Sequence, residues 1–224
     1  MWPWRRITAI LGTGTGTVAR GLARRGGRVI GLDPSKDLME VARGLDREAG
    51  VTIRYRLGTA EATGLPDSSQ DVVTAGQCWH WFDGDAAARE IRRILSPGGR
   101  LVICHFDWLP LPGTVPEATE ALILKHNPAW AWGGLTGLYP RWLTDVASAG
   151  FEDIETFSYD VQQPYTHTDW CGRIRASSGI AASLDADAVQ RFDSEHESLL
   201  AERFPTEPLE IPHRVWALVC RHSG

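Results

Sequence analysis

Three glycines alternate with threonines directly after an apolar run near the beginning of the chain, in the stretch ITAILGTGTG at residues 7–16. Glycine allows backbone N–H groups to approach a ligand closely, and a glycine loop that opens a helix often holds a phosphate or a nucleoside. Asp33 ends the next apolar run, where a carboxylate can accept hydrogen bonds from both hydroxyls of a ribose. These residues together predict a site for a nucleoside-containing cofactor. The alternative for Asp33 is that it only places a favourable charge before a helix.

Two histidines are candidates for acid–base chemistry. His80 lies in the aromatic segment CWHWF, and His105 stands near the end of the apolar run RLVICHF. An imidazole, with an ordinary pKa of about 6.5, is a suitable general base for a hydroxyl or amine nucleophile. We predict His80 as the base and His105 as the second candidate. The alternative for His80 is that it only forms hydrogen bonds that order its loop.

Arginines and tryptophans are the candidates for substrate binding. Arg173 and Arg175, in the segment WCGRIRASS, can hold a substrate carboxylate in a bidentate manner, or they can form a solvated helix face with a salt bridge. Tryptophans expected at the rim of the sheet can line a pocket for a flat organic molecule or a cation, although core packing is the plainer explanation. These tryptophans are Trp79, Trp81, Trp108, Trp130 and Trp132. The histidines expected at the surface without a role are His126, His167, His196 and His222.

Short apolar runs alternate with stretches of helical spacing through the first two-thirds of the sequence. This alternation predicts a parallel sheet with right-handed crossovers, in which ligands bind at the carboxyl ends of the strands. The expected strands are 7–11, 28–33, 51–57, 71–76 and 100–106. The expected helices are 17–26, one that opens at Pro34 and Ser35, and 85–95, which the break SPGG ends.

The pattern changes after residue 106. Residues 107–138 show no clear periodicity and follow the carboxyl end of a strand, so we expect an irregular functional cap there. Beyond it we expect a helix at 140–150, a strand at 151–160, two helical pieces within 166–204, the second capped by Asp185 or Asp187, and a closing strand at 213–221.

Four stretches in order, LGTGTGTVARGLARRGGRVIGLDPS, GTAEATGLPDSSQDVV, AGQCWHWFD and ILSPGGRLVI, resemble the successive motifs of class I S-adenosylmethionine-dependent methyltransferases. The similarity is greatest to the small-molecule "type 11" branch that includes trans-aconitate methyltransferase-like enzymes. It covers residues 7–106 and, more weakly, the ending HRVWALVCR. A nicotinamide-dependent oxidoreductase is the less favoured alternative, because Thr17 fits its glycine fingerprint poorly and the later motifs are not its own.

The resemblance implies a fold, a reaction and a set of cofactor contacts. The fold would be α/β, a Rossmann-like doubly wound sheet that is mostly parallel with an antiparallel final strand, plus an α-helical cap. One domain, 1–224, would have its core at 1–106, 139–160 and 211–224 and cap insertions at 107–138 and 160–210. S-adenosylmethionine would lie on Gly12, Thr13, Gly14 and Gly16, with its ribose on Asp33 and Pro34, its adenine between Ala60 and Glu61, and Gln77 beside it. The reaction would be methyl transfer to a small organic molecule without a metal.

Two departures from this family's pattern suggest a second hypothesis. Ile10 stands where the family usually has an acidic residue that orients the loop, so restoring Asp at this position is expected to tighten cofactor binding. Only the segment MWPWRR precedes the first strand, where the family usually has helices that cover the cofactor. The alternative is therefore a methyltransferase-fold binding or accessory protein, with a homodimer supplying the missing cover.

Composition narrows the remaining function classes. The net charge is −5 without a basic block, which argues against binding to duplex nucleic acid. No run approaches the roughly 20 apolar residues of a membrane span, and the first residues lack the apolar core of a signal peptide, so we expect a cytoplasmic protein. The scarcity of lysine relative to arginine suggests a bacterial source. Four scattered cysteines, Cys78, Cys104, Cys171 and Cys220, are expected to be buried free thiols rather than zinc ligands.

Overall fold

A computed structural model of the chain describes residues 7–224. The segment MWPWRR, on which the expectation about the beginning of the chain depends, lies outside the described residues. The strands are β1 (Ile7–Leu11), β2 (Arg28–Asp33), β3 (Arg54–Leu57), β4 (Gln70–Gly76), β5 (Leu95–Trp108), β6 (Glu152–Tyr165) and β7 (Leu209–Arg221). The helices are α1 (Thr17–Ala23), α2 (Lys36–Glu48), α3 (Gly84–Ile94), α4 (Val115–His126), α5 (Arg141–Ser148), α6 (His167–Arg175) and α7 (Ala186–Arg203).

The seven strands form one sheet in the order β3-β2-β1-β4-β5-β7-β6. The pairs β1–β2, β1–β4, β2–β3 and β4–β5 are parallel. The last strand runs against β5: Gly98 N–H donates to His222 O at 2.7 Å, and Leu109 N–H donates to Pro212 O at 2.8 Å, so rising numbers on β5 face falling numbers on β7. The predicted Rossmann-like, mostly parallel sheet with an antiparallel final strand is confirmed.

The first strand is buried on both faces because successive side chains alternate across it. Ala9 and Leu11 belong to the large core that includes α3 and α5, whereas Ile10 belongs to a smaller cluster with Ala19 and Val29 against α1. Helices therefore cover both faces of the sheet around β1. Capping side chains begin several helices as the sequence suggests: Ser35 caps α2, and Asp185, not Asp187, caps α7.

The expectation of an irregular segment at 107–138 is wrong in its middle, where α4 forms a helix of 12 residues. Its buried side chains fall on several faces rather than along one stripe, so the sequence lacks the 3.6-residue period by which an amphipathic helix is recognised. Pro116 in its first turn suits a helix start, because the missing N–H has no intrahelical partner there. The buried residues of α4 are Val115, Pro116, Ala118, Thr119, Glu120, Leu122 and Ile123.

Two of the histidines expected at the surface are buried. His196 is fully buried, its Nε2 lies 3.1 Å from the Thr119 hydroxyl oxygen, and burial lowers its pKa to about 4. His222 is also buried, at the end of β7. His126 and His167 remain partly exposed. The surface expectation failed for His196 because its neighbours along the helix, including Glu195 and Glu197, are polar, while its own position faces the core.

The chain divides into two compact units. The first comprises Met1–His105, Tyr139–Phe157 and Trp216–Gly224, and the second comprises Phe106–Leu138 and Ser158–Val215. The insertions expected at 107–138 and 160–210 fall within the second unit. The second unit has its own apolar core, which includes Ile123, Trp170 and Phe192. Across residues 7–224, no helix combines the length and the apolar composition that crossing a bilayer requires.

Candidate functional site

The glycine loop, residues 12–16, connects the buried strand β1 to α1. Gly14 has a φ of +52°, which L-residues rarely adopt, and a Cβ atom built there would meet no atom within 4 Å. The space above Gly14 is therefore open. Thr13, the preceding residue, is buried, its N–H donates to Leu32 O at 2.9 Å, and its hydroxyl has no hydrogen-bond partner among residues 7–224. The open space above Gly14 leaves room for a ligand against the backbone of the loop.

Asp33 is buried and binds the loop directly. Its Oδ2 accepts a hydrogen bond from Gly14 N–H at 2.8 Å, and its Oδ1 accepts one from Ser35 N–H at 2.9 Å. Each carboxylate oxygen has a second lone pair, so Asp33 can accept further bonds from a ligand. If Asp33 only placed a favourable charge before α2, it would not need to bind the glycine loop, so its hydrogen bond to Gly14 disfavours that alternative. Pro34, which follows, is exposed.

The segment after β4 lies beside the same loop, and the segment after β3 contacts the start of α3. The Cys78 thiol donates to Leu11 O at 3.2 Å, immediately before the loop, and burial raises its pKa to about 12, so it stays protonated. Glu61 Oε1 accepts from Asp83 N–H at 3.1 Å, which joins the segment after β3 to the start of α3. Ala60 is buried in the core of the first unit, and Gln77 is exposed at the end of β4. The structure thus brings residues from the ends of four strands to one edge of the sheet.

The two candidate bases are neighbours. His80 lies in the short 3₁₀ turn Trp79–Trp81 after β4, and His105 lies on β5, the adjacent strand. Their ring centroids are 5.5 Å apart, with the rings inclined by 65°. The buried His105 ring also lies 4.6 Å from Tyr139 and 4.8 Å from Trp142, centroid to centroid. Sequence reasoning missed both of these aromatic residues, because they are distant in the chain and belong to no recognised motif.

The tryptophans of the first unit differ in placement. Trp79 is 1% exposed, and its indole N–H donates to Asp145 Oδ2 at 3.0 Å. This burial leaves no surface for a substrate, so the position of Trp79 favours the packing explanation. Trp81, two residues later, is 62% exposed and lies 4.8 Å from His80, ring to ring. Only the second of these side chains is accessible to a ligand.

A polar group in the second unit was not expected from the sequence. The buried Glu120 accepts a hydrogen bond from the Trp108 indole N–H at 2.7 Å and another from Gly134 N–H at 2.7 Å. Burial raises the pKa of Glu120, although both hydrogen bonds oppose that shift. The guanidinium carbon of Arg173 lies 5.1 Å from the centroid of the Trp108 ring. Glu120 lies on α4, where no helix was predicted, so nothing in the sequence indicated its inward position.

The two candidate arginines of α6 have different surroundings. The exposed Arg175 donates to Asp193 Oδ2 at 2.5 Å, as the salt-bridge alternative predicts. Arg173 is partly buried, and no carboxylate within residues 7–224 lies within 4 Å of its guanidinium. Trp130 is buried in the core of the second unit, and Trp132 packs against that core while keeping part of its surface exposed. A paired role for the two arginines is therefore not what the structure favours.

Comparisons with known proteins agree on a family. A family model described as a methyltransferase domain matches residues 10–103. An uncharacterized methyltransferase from Schizosaccharomyces pombe is 34% identical over 193 residues, which are 85% of this chain and 72% of that protein. An uncharacterized methyltransferase from Mycobacterium tuberculosis is 42% identical over 91 residues, 41% of this chain, and the match spans only 36% of that relative's own length.

Solved structures share the fold. The YcgJ protein from Bacillus subtilis has a TM-score of 0.63 at 20% identity, covering 98% of this chain and 93% of that one. Phosphoethanolamine N-methyltransferase 2 from Haemonchus contortus, in complex with phosphomonomethylethanolamine and S-adenosylhomocysteine, has a TM-score of 0.57 at 20% identity, covering 98% of this chain and 49% of that one. At these identities the likeness concerns the fold alone.

Ile10 has an apolar environment that makes a carboxylate costly at this position. Its side chain is 1% exposed and belongs to the cluster with Ala19 and Val29, against which Val18 and Leu22 also pack. An aspartate here would lose the apolar contacts of isoleucine and bury a charge without a partner. The geometry therefore argues against the simple expectation that Asp at position 10 restores tighter cofactor binding.

We expect Ile10→Asp to lower the free energy of unfolding by about 4 kcal/mol, because it combines a lost apolar side chain with a buried, unpaired carboxylate. Urea denaturation followed by circular dichroism measures this loss. Ile10→Val is the matched control, with an expected loss of about 1 kcal/mol. An aspartate variant that is as stable as the valine variant, and that binds S-adenosylmethionine more tightly than the unsubstituted protein, would contradict the packing argument.

Proposed function

This chain belongs to the S-adenosylmethionine-dependent methyltransferases, and we propose that it binds that cofactor on its glycine loop and methylates a small organic molecule. The observation that supports this most strongly is the hydrogen bond from Gly14 N–H to the buried Asp33 carboxylate, beside the open space above Gly14. The donor and acceptor chemistry of these residues fits a nucleoside.

Each predicted cofactor residue has a proposed task. Asp33 accepts hydrogen bonds from the ribose hydroxyls with its remaining lone pairs, and backbone groups of Gly12, Gly14 and Gly16 approach the methionyl part. Ala60 and Glu61 flank the adenine, and Gln77 lies beside the cofactor. When bound, S-adenosylmethionine supplies a methyl group on a positively charged sulfur. The protein's own residues align the acceptor, exclude water and accept the proton that the acceptor loses.

His80 is the proposed general base. Its imidazole takes the proton from a hydroxyl or amine of the acceptor, and His105 is the second candidate for this task. The ring of His105 packs beside His80, which limits the orientations that the His80 ring can adopt. The exposed ring of Trp81 offers an apolar surface for the acceptor next to this base.

Arg173 is the proposed anchor for an anionic group of the acceptor. It lies over the Trp108 ring without a carboxylate partner in the described part of the chain, while Arg175 is already paired. The Glu120 carboxylate holds the Trp108 indole, so the surface that supports the guanidinium is fixed. Trp132, which keeps some exposed surface, is the other proposed aromatic contact, and Trp130 contributes through packing.

The acceptor is proposed to be a small molecule rather than a macromolecule. The net charge of −5 without a basic block does not suit a nucleic acid. The Haemonchus contortus protein was solved in complex with a small phosphorylated amine and S-adenosylhomocysteine, a precedent for a molecule of this size on the same fold. A cytoplasmic location, a bacterial source and a homodimer remain predictions from the sequence.

Calorimetric titration with S-adenosylmethionine, S-adenosylhomocysteine and NAD tests the proposed cofactor. We expect binding of the first two at micromolar concentration and no binding of NAD. Asp33→Asn is expected to weaken binding by about tenfold or more, because it removes a charge-assisted acceptor. Asp37→Asn, an exposed change in the first turn of α2, is the matched control and should leave binding unchanged. Failure to bind any of the three compounds would favour the accessory-protein alternative.

We expect His80→Gln to lower kcat by about 100-fold, because glutamine cannot take the acceptor's proton. The assay is release of S-adenosylhomocysteine with the best acceptor from a panel of small phenols, amines and carboxylates. Binding of S-adenosylhomocysteine should stay as in the unsubstituted protein, and His126→Gln should change neither quantity. Near-normal turnover by His80→Gln would show that His80 is not the general base and would favour the alternative that it only orders its loop.

We expect Arg173→Gln to raise the KM for an anionic acceptor by about tenfold or more while leaving that for S-adenosylmethionine unchanged, because a charged hydrogen bond to the acceptor is lost. Arg175→Gln, two residues along the same helix, breaks only the pair with Asp193 and should leave both KM values unchanged. Equal effects of the two substitutions would show that Arg173 acts on α6 as a whole rather than on the acceptor.

A further inference from the structure

A polar network of three side chains lies behind the glycine loop in the first unit. Arg20 of α1 donates from Nη1 to Asp46 Oδ1 at 2.7 Å, and Tyr55 of β3 donates from its hydroxyl to Asp46 Oδ2 at 2.8 Å. The side chains of Arg20 and Asp46 are only 13% and 5% exposed. Burial, followed by the hydrogen bond and charge of Asp46, raises the pKa of Tyr55, so its hydroxyl remains a donor. We call these three residues the Arg20–Asp46–Tyr55 network.

The network reaches the loop at its last two residues. Arg20 donates from Nη2 to Thr15 O at 3.1 Å, and this carbonyl belongs to the peptide that joins Thr15 to Gly16. Gly16 N–H, in the same peptide, donates to Thr13 O at 2.9 Å. The Tyr55 hydroxyl oxygen would lie 2.5 Å from a Cβ atom at Gly16, so only glycine fits against this ring. The orientation of the peptide is therefore determined from both sides.

Stability alone is a weak explanation for such a network. A buried ion pair must overcome the desolvation of both charges, and a well-packed apolar replacement is often at least as stable. The ion pair also fixes the orientation of the planar guanidinium. With Nη1 bound to Asp46, Nη2 of Arg20 is directed at the carbonyl oxygen of Thr15. Arg43, whose guanidinium carbon lies 5.6 Å from the centroid of the Tyr55 ring, further restricts that ring.

We propose that Arg20, Asp46 and Tyr55 are positioning residues for S-adenosylmethionine, which hold the Thr15–Gly16 peptide and so fix the backbone path of the loop on which the cofactor lies. The inference rests on the proposed function of the loop. Ile10 of β1 is apolar and faces α1, so the first strand offers no carboxylate to the loop at this position. The carboxylate that orients the rear of the loop comes instead from α2, through Arg20.

The test compares Asp46→Asn and Tyr55→Phe with the unsubstituted protein by calorimetric titration with S-adenosylmethionine, well below the melting temperature of each. Tyr55→Phe keeps the ring and removes only the hydroxyl, so it serves even where the asparagine variant fails to fold. We expect the Kd to rise about tenfold in each variant, because a hydrogen bond to a charged group is lost. In the turnover assay, the KM for S-adenosylmethionine should rise likewise, with kcat and the acceptor's KM unchanged.

Asp153→Asn is the matched control, since it also converts an arginine-paired carboxylate to an amide, at an exposed pair with Arg221. It should leave the Kd unchanged. If Tyr55→Phe lowers the melting temperature but binds the cofactor as tightly as the unsubstituted protein, the network is only structural and the inference fails. If the unsubstituted protein itself does not bind S-adenosylmethionine, the proposed function fails and the inference fails with it.

Discussion

The parallel pairing of β1 with β2 is the constraint on which the site depends. The register places Leu11 opposite Leu32. The glycine loop that follows β1 and Asp33 at the end of β2 therefore lie side by side at the same edge of the sheet. The hydrogen bond from Gly14 N–H to Asp33 Oδ2 then ties the loop to the carboxylate at 2.8 Å. A buried carboxylate without such donors would be unfavourable, and the loop amide satisfies part of that requirement before any ligand arrives.

The loop is thus held by two carboxylates that reach it from different elements. Asp33 acts directly on Gly14, and Asp46 acts through Arg20 on the carbonyl of Thr15. Strand β1, which leads into the loop, supplies no third carboxylate at position 10. Its Ile10 side chain packs in the apolar cluster against α1. Holding a flexible glycine loop at two points lowers the entropy that a ligand must remove on binding, which is the physical content of preorganisation.

The parts of this structure that the sequence predicted are those with a local signal. The strand at residues 28–33 could be predicted from its own apolar run. The start of α2 could be predicted from Ser35, which precedes apolar residues at helical spacing. Helix α4 was missed because burial on several faces removes the periodicity. The pairing of Arg20 with Asp46 could not be foreseen either, since 26 residues separate them and only the packing of α1 beside α2 decides which acid meets which base.

The arginines of α6 show why spacing in a sequence can mislead about a site. A helix advances about 100° per residue, so side chains two positions apart point to nearly opposite sides and do not face one another. Arg175 accordingly meets Asp193 of α7, whereas Arg173 lies over the indole of Trp108. Two guanidinium groups so arranged cannot hold one carboxylate between them. Arg173 instead lies against an aromatic ring whose indole N–H is bound by the buried Glu120.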